Sequence, residues 1–72
     1  MDIVEKIRIA CVRRGNISEA ELARRMGKSP QALHNKISRR HFTDTDLQEV
    51  AAAMNLVVDI AFIDPKTGER IV

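Results

Sequence analysis

Apolar residues recur along this chain at helical spacing in four short segments, and the last segment follows a different pattern. The first predicted helix runs from Asp2, which is suited to cap it, to about Arg14. Its core-facing stripe consists of Val4, Ile7 and Cys11, because these positions follow i, i+3 and i+7.

The next two predicted helices are short and are separated by a tight turn at Gly27. The second helix begins at Ser18, which with Glu21 matches a capping box, and ends at Gly27, whose freedom to adopt a positive φ suits a helix end. The third helix, residues 29–40, begins at Ser29, another typical cap. A turn this short lets two helices cross steeply, so we expect the third helix to project from the surface.

The fourth predicted helix runs from Thr43 to about Met54, where Leu47, Val50 and Met54 contribute an apolar stripe. These four helices divide the chain into a helix-turn-helix domain, residues 1–55, and a shorter extension, residues 56–72. The fold class expected is therefore mostly α.

The extension is predicted to be a β-hairpin rather than an independent domain. Val58, Ile60 and Phe62 alternate with Asp59, Ala61 and Ile63, which is the period of a strand. The segment 64–68 contains a proline and a glycine at positions typical of a turn, and the chain would return over residues 69–72. Because an isolated two-stranded hairpin is marginal in water, we expect it to pack on the helices or to pair with another chain.

The third helix has a polar face that suits contacts with DNA bases. Placing Leu33 and Ile37 inward turns short, uncharged side chains outward. Glutamine and asparagine amides can bond adenine N6 and N7 together in the major groove. The predicted base-contacting residues are Gln31, Ala32, Asn35 and Ser38.

Charge is divided unevenly along the chain and points to a polyanionic partner. Residues 1–41 contain ten Lys and Arg against four Asp and Glu, whereas residues 42–72 contain two against six. A basic half attracts phosphates, and exposed N–H groups at helix starts bind phosphate oxygens. The predicted phosphate-contacting residues are Ser18, Lys28, Ser29, Lys36, Arg39 and Arg40.

The segment from Leu22 to Gln31 (LARRMGKSPQ) resembles the L-A-x-x-x-G-x-S core of the lambda-repressor/Cro-like helix-turn-helix family. The later segment from Leu47 to Met54 resembles the helix that closes that family's core, so the resemblance spans about residues 3–55. It implies that the third helix enters the major groove with Gln31 and its neighbours facing bases. The chain lacks the Glu-Arg-Gly common at the end of that helix, and the predicted hairpin replaces the family's fifth helix.

These features predict a sequence-specific double-stranded DNA-binding protein that acts as a transcriptional repressor, and the family resemblance implies that its host is a bacterium or phage. A homodimer is expected because one helix-turn-helix covers only a half-site. The alternative is a protein-interaction module, such as an antitoxin-like partner, that uses the C-terminal hairpin. The predicted dimer interface consists of Val58, Ile60, Ala61, Phe62 and Ile63.

Other classes of function find little support in the sequence. His34 and His41 lack neighbouring ligands for zinc, no glycine-rich phosphate loop is present, and no catalytic dyad has suitable spacing. We therefore expect no enzyme activity, no cofactor and no metal. The longest apolar run is too short to span a bilayer, and the single cysteine, Cys11, fits a reducing compartment, so a cytoplasmic location is expected.

Overall fold

The computed structural model describes residues 2–72, and its secondary structure consists of four α-helices. They are α1 (Ile3–Arg13), α2 (Glu19–Arg25), α3 (Pro30–Arg39) and α4 (Asp44–Ala53). Each corresponds to one of the predicted helices, so the mostly helical part of the predicted fold is confirmed.

Each helix begins with a side chain that accepts a hydrogen bond from a backbone N–H in the first turn. Asp2, Ser18, Ser29 and Thr43 fill this role for α1 to α4, with donor–acceptor distances of 2.9 to 3.1 Å. Only α4 completes a capping box, because Asp46 also accepts from the backbone N–H of Thr43. The predicted box at Ser18 is incomplete, since the Glu21 carboxylate instead accepts hydrogen bonds from two arginines of its own helix.

One apolar cluster holds the four helices together. Leu22 and Leu33 are the largest fully buried side chains, and the small Ala23 is also completely enclosed where α2 packs against its neighbours. The buried members of the cluster are Val4, Ile7, Cys11, Leu22, Ala23, Leu33, Ile37, Val50 and Met54.

The chain leaves α2 and α3 through left-handed backbone conformations, which set the direction of the following segments. Gly27 has φ of 70°, and nothing lies near the position that a Cβ would occupy, so its backbone angle rather than crowding favours glycine. Arg40 ends α3 with φ of 51°, a conformation that is uncommon for a residue with a side chain. The third helix therefore ends at the predicted position, near residue 40, but without a glycine.

The predicted C-terminal β-hairpin is wrong: within residues 2–72 the structure contains no β-strand, only an isolated antiparallel bridge between Ile63 and Arg70. The bridge closes a turn in which the Gly68 N–H donates to the Asp64 carbonyl at 2.8 Å. A two-residue period was insufficient to make a strand because the segment has no neighbouring sheet, and a lone two-stranded ribbon is marginal.

The apolar side chains of the C-terminal segment, residues 57–72, do not cover the helices as expected. Phe62 is 73% exposed and Ile60 is 58% exposed. Val58 is more shielded than these two side chains, but it is still only half-buried. The last residue that packs against the core cluster is Leu56, whose N–H donates to the Ala51 carbonyl at 2.8 Å. The packed part of the molecule therefore ends at Leu56.

Candidate nucleic-acid interface

The outward side of α3 carries all four residues predicted to contact bases. The inward side of the helix is fixed by Leu33 and Ile37, which are both buried in the core cluster. The packing of these two side chains determines which residues face solvent, because the helix turns by about 100° per residue. All four residues predicted to contact bases are exposed, namely Gln31, Ala32, Asn35 and Ser38.

Gln31 and Asn35 form a hydrogen-bonded pair one helical turn apart. The Gln31 Nε2 group donates to Asn35 Oδ1 at 3.2 Å. Each amide has two N–H donors and one carbonyl acceptor, so the contact leaves the Gln31 carbonyl and the Asn35 N–H groups available. The pair thus presents an acceptor and donors side by side, as recognition of a base edge requires.

A second polar row runs beside the amide pair and joins α3 to α2. His34 Nδ1 lies 3.1 Å from the Glu19 carboxylate, and His34 Nε2 lies 3.3 Å from the Ser38 hydroxyl. No role on this face was predicted for His34 from the sequence. The spacing of His34 and Ser38 by four residues was a possible signal, but nothing local indicated Glu19, which precedes His34 by 15 residues.

Three of the cations predicted to contact phosphate are held in ion pairs within the chain. Lys28 Nζ lies 3.4 Å from Glu49, Lys36 Nζ lies 3.0 Å from Asp46, and Arg40 Nε lies 3.3 Å from Asp2. Sequence reasoning missed all three pairs because each joins residues from different helices or turns. Their charges are therefore partly neutralised in the unbound protein.

Arg39 differs from these cations, since it is exposed and makes no ion pair within residues 2–72. It lies in the last turn of α3, where a cation also favours the helix dipole. Ser18 and Ser29 are exposed at the starts of α2 and α3, where their hydroxyl oxygens accept capping hydrogen bonds. Their hydroxyl groups still have a hydrogen to donate.

Several cations outside the predicted set also make no ion pair within the part of the chain that the structure describes. Four of them lie on α1 or directly after it, so their only signal in the sequence was the excess of basic residues in the first half. These residues are Lys6, Arg8, Arg13, Arg14 and Lys66.

An apolar groove of about 420 Å³ lies away from the outward face of α3, between α1, α4 and residues 56–60. Its lining includes Ile3, Phe42 and Leu47, which pack against the core cluster. Val58 and Ile60, two of the predicted dimer-interface residues, form part of its wall. The other three, Ala61, Phe62 and Ile63, lie outside the lining, and the last two are exposed.

The residues that could react or bind metal are few in the described part of the chain. Cys11 is a buried free thiol whose Sγ lies 3.8 Å from Met54 Sδ, and desolvation raises its pKa. Among residues 2–72, no group of histidine, cysteine and acidic side chains is arranged to hold a metal ion. No helix in that range combines the length and the apolar character that crossing a membrane requires.

Comparisons with known proteins leave the family of this chain unassigned. No family model, curated protein or solved structure matches the chain.

Proposed function

We propose that this protein binds double-stranded DNA sequence-specifically, as a homodimeric repressor in the cytoplasm, with α3 in the major groove. The observation that carries the proposal is the outward face of α3. Gln31 and Asn35 are exposed near its start and Arg39 is exposed at its end, while Leu33 and Ile37 anchor the opposite side. Amides near the start of a projecting helix and a cation at its end suit base and phosphate contacts respectively.

The dimensions of α3 support this mode of binding. Its ten residues form a helix about 15 Å long, and an α-helix is narrow enough to enter the major groove, which is about 12 Å wide. The available carbonyl of Gln31 and the N–H groups of Asn35 match the donor and acceptor pattern of adenine. We therefore assign base recognition to the amide pair, with Ala32 and Ser38 beside it.

Phosphate contacts are assigned first to Arg39, the cation of α3 that no carboxylate within residues 2–72 neutralises. The starts of α2 and α3, capped by Ser18 and Ser29, add backbone N–H groups that favour anions. These contacts fix the position of a protein on DNA but carry no sequence information. Arg39 should consequently contribute equally to binding of all sequences.

A homodimer is proposed because a single reading helix discriminates weakly between sequences. Each good bidentate contact contributes about 1–3 kcal/mol, and two-fold symmetry doubles the number of contacts. The exposed apolar side chains of the C-terminal segment supply a surface that a partner copy would cover. The predicted interface residues remain Val58, Ile60, Ala61, Phe62 and Ile63. The hairpin that was expected to present them is not formed within residues 2–72.

The experiment that tests the proposal is a titration of the protein with duplex DNA of random sequence at two salt concentrations. A protein that contacts phosphates loses affinity steeply as salt rises, because binding releases counterions. We expect binding at low salt and a marked loss at high salt. Absence of binding at low salt would contradict the proposal.

Two matched variants in the same titration separate the proposed roles. Arg39→Ala should weaken binding to random duplex. The slope of log affinity against log salt should decrease in magnitude by the amount that about one phosphate contact contributes. Gln31→Ala should leave both quantities nearly unchanged, because a base contact adds little to non-specific binding. An equal loss from the two variants would show that the assigned roles are wrong.

The second candidate function is a protein-interaction module, such as an antitoxin-like partner of another protein. The exposed apolar side chains of residues 57–72 favour it, since monomeric proteins rarely leave a large apolar patch uncovered. Failure to bind duplex at low salt, together with a stable monomer in sedimentation, would favour this candidate over the homodimeric repressor.

A further inference from the structure

Three of the cations predicted to contact phosphate make ion pairs within the chain, and the pair between Lys36 and Asp46 has the least exposed carboxylate of the three. The Lys36 side chain is 31% exposed and the Asp46 side chain only 11% exposed, and their charged atoms lie 3.0 Å apart. The carboxylates that pair with Lys28 and Arg40 are at least 42% exposed, at longer distances. Lys36 also donates a hydrogen bond to Asp46, whereas Glu49 Oε2 has no hydrogen-bond partner within residues 2–72 and Arg40 pairs with an exposed carboxylate, so Lys36 is the most firmly held of the three.

Asp46 is also fixed from its own side of the contact. The oxygen that accepts from Lys36, Oδ2, accepts the backbone N–H of Thr43 at 3.0 Å, and the Thr43 hydroxyl accepts the Asp46 backbone N–H in return. The hydrogen bonds from Thr43 and Lys36, in that order, lower the pKa of the Asp46 carboxyl, so it is ionised at neutral pH. The carboxylate therefore faces Lys36 in a fixed position at the start of α4.

We propose that Asp46 is a positioning residue that holds Lys36 against α4 and thereby withholds the Lys36 charge from DNA phosphates. This inference rests on the proposed function. It revises the prediction that Lys36 contacts phosphate and leaves Arg39 as the phosphate-binding cation of α3. A released Lys36 would add a sequence-independent contact to α3, strengthening binding to all duplexes alike.

The test measures the slope of log affinity against log salt for random duplex DNA in five proteins. The magnitude of this slope rises by about 0.9 for each additional phosphate that the protein neutralises. Lys36→Met should leave the wild-type slope unchanged, whereas the matched control Arg39→Met should lower its magnitude by about 0.9. Asp46→Asn should raise it by about the same amount, because it frees Lys36, and the double variant Lys36→Met/Asp46→Asn should return to the wild-type slope.

The arms of this experiment separate the inference from the function on which it rests. If Asp46→Asn only disturbed packing, the magnitude of the slope would not rise. Adding Lys36→Met in the double variant would then have no raised slope to return to the wild-type value. If wild type binds and Lys36→Met lowers the slope by about 0.9, the inference is overturned while DNA binding stands. If wild type fails to bind at low salt, both are overturned. Circular dichroism of each variant checks that it is folded, and a lowered slope in Lys36→Met overturns the inference even if Asp46→Asn unfolds.

Discussion

The helical body, residues 2–56, and the C-terminal segment, residues 57–72, both contain many apolar residues but use them differently. In the helical body Leu22 and Leu33 are at most 1% exposed, whereas in the segment Val57 is 93% exposed and Phe62 is 73% exposed. Apolar content alone therefore does not produce a core. Burial requires side chains on one face of an element and a second element for that face to pack against.

The two regions also differ in how their backbone groups are satisfied. Each of the four helices has a side-chain cap at its start and hydrogen bonds along its length. The C-terminal segment has one isolated bridge, three backbone hydrogen bonds in which Phe62, Asp64 and Ile71 donate across the turn, and local contacts of Asp64 and Thr67 within it. Because few of its side chains pack against the helices, we expect the segment to have lower local stability than the helices.

The two regions should differ most in how much the free energy of unfolding falls when one large apolar side chain is removed. Leu33→Ala should lower the free energy of unfolding by about 2–5 kcal/mol, because it leaves a cavity in the core. The control Phe62→Ala should change it by less than about 0.5 kcal/mol. Urea denaturation of both variants, at concentrations where the protein is monomeric, measures the difference. Similar losses would mean that Phe62 packs on the helices in solution.

A smaller effect is expected from removing a helix cap. Ser29→Ala should lower the free energy of unfolding by about 1 kcal/mol, since the first turn of α3 loses an acceptor for the Ala32 N–H. Thr67→Ala removes a comparable hydroxyl acceptor from the turn in the C-terminal segment and should have almost no effect. Thermal denaturation of the two variants makes the comparison. An equal shift in Tm would contradict a stable helical body with a weakly held segment.

Deletion of residues 57–72 should change the stability of the monomer by less than about 1 kcal/mol, because the packing ends at Leu56. Helix content, measured by circular dichroism, should be retained. Hydrogen exchange on the full chain provides an independent check, with protected amides in α1 to α4 and fast exchange after Leu56. Collapse of helical structure on deletion would show that the segment belongs to the folding unit.

The smallest contrast concerns acid sensitivity. Hydrogen bonds from Thr43 and Lys36 lower the pKa of Asp46 in the folded state, so its contribution to stability is present above its unfolded pKa of about 3.9. That contribution is lost as pH falls through the lower folded pKa. Asp46→Asn should therefore reduce the loss of stability between about pH 4 and pH 2, relative to wild type.

The matched control for acid sensitivity is Asp59→Asn. Arg70 also lowers the pKa of Asp59, but this pair lies on the exposed C-terminal segment and is screened by water. Denaturant midpoints across the acid range should thus follow wild type in Asp59→Asn and depart from it in Asp46→Asn. Identical profiles for the two variants would argue against a special role for Asp46.

The features that the sequence predicted correctly are local in origin. The helix starts at Ser29 and Thr43 and the break at Gly27 depend on residues a few positions apart, so local side-chain and backbone preferences suffice to predict them. Exposure of Gln31 and Asn35 also follows from helical spacing once Leu33 and Ile37 are buried. The orientation of the candidate interface could accordingly be predicted from the sequence.

The features that sequence analysis missed depend on contacts between elements. Whether Lys36 meets Asp46, or His34 meets Glu19, is decided by how α3 crosses its neighbours, which local patterns do not specify. The wrong hairpin has a related cause: the alternation around Ile60 described the side chains but not a partner strand for them. It is consequently harder to predict whether an exposed charged residue is paired than to predict that the residue is exposed.

Selection of bound duplexes from a random pool tests the central claim most directly, with wild type and Gln31→Ala run in parallel. We predict that wild type enriches one sequence with two-fold symmetry, and that Gln31→Ala loses preference at symmetric positions within it. A pool that remains as random after selection as before it would contradict sequence-specific recognition by α3.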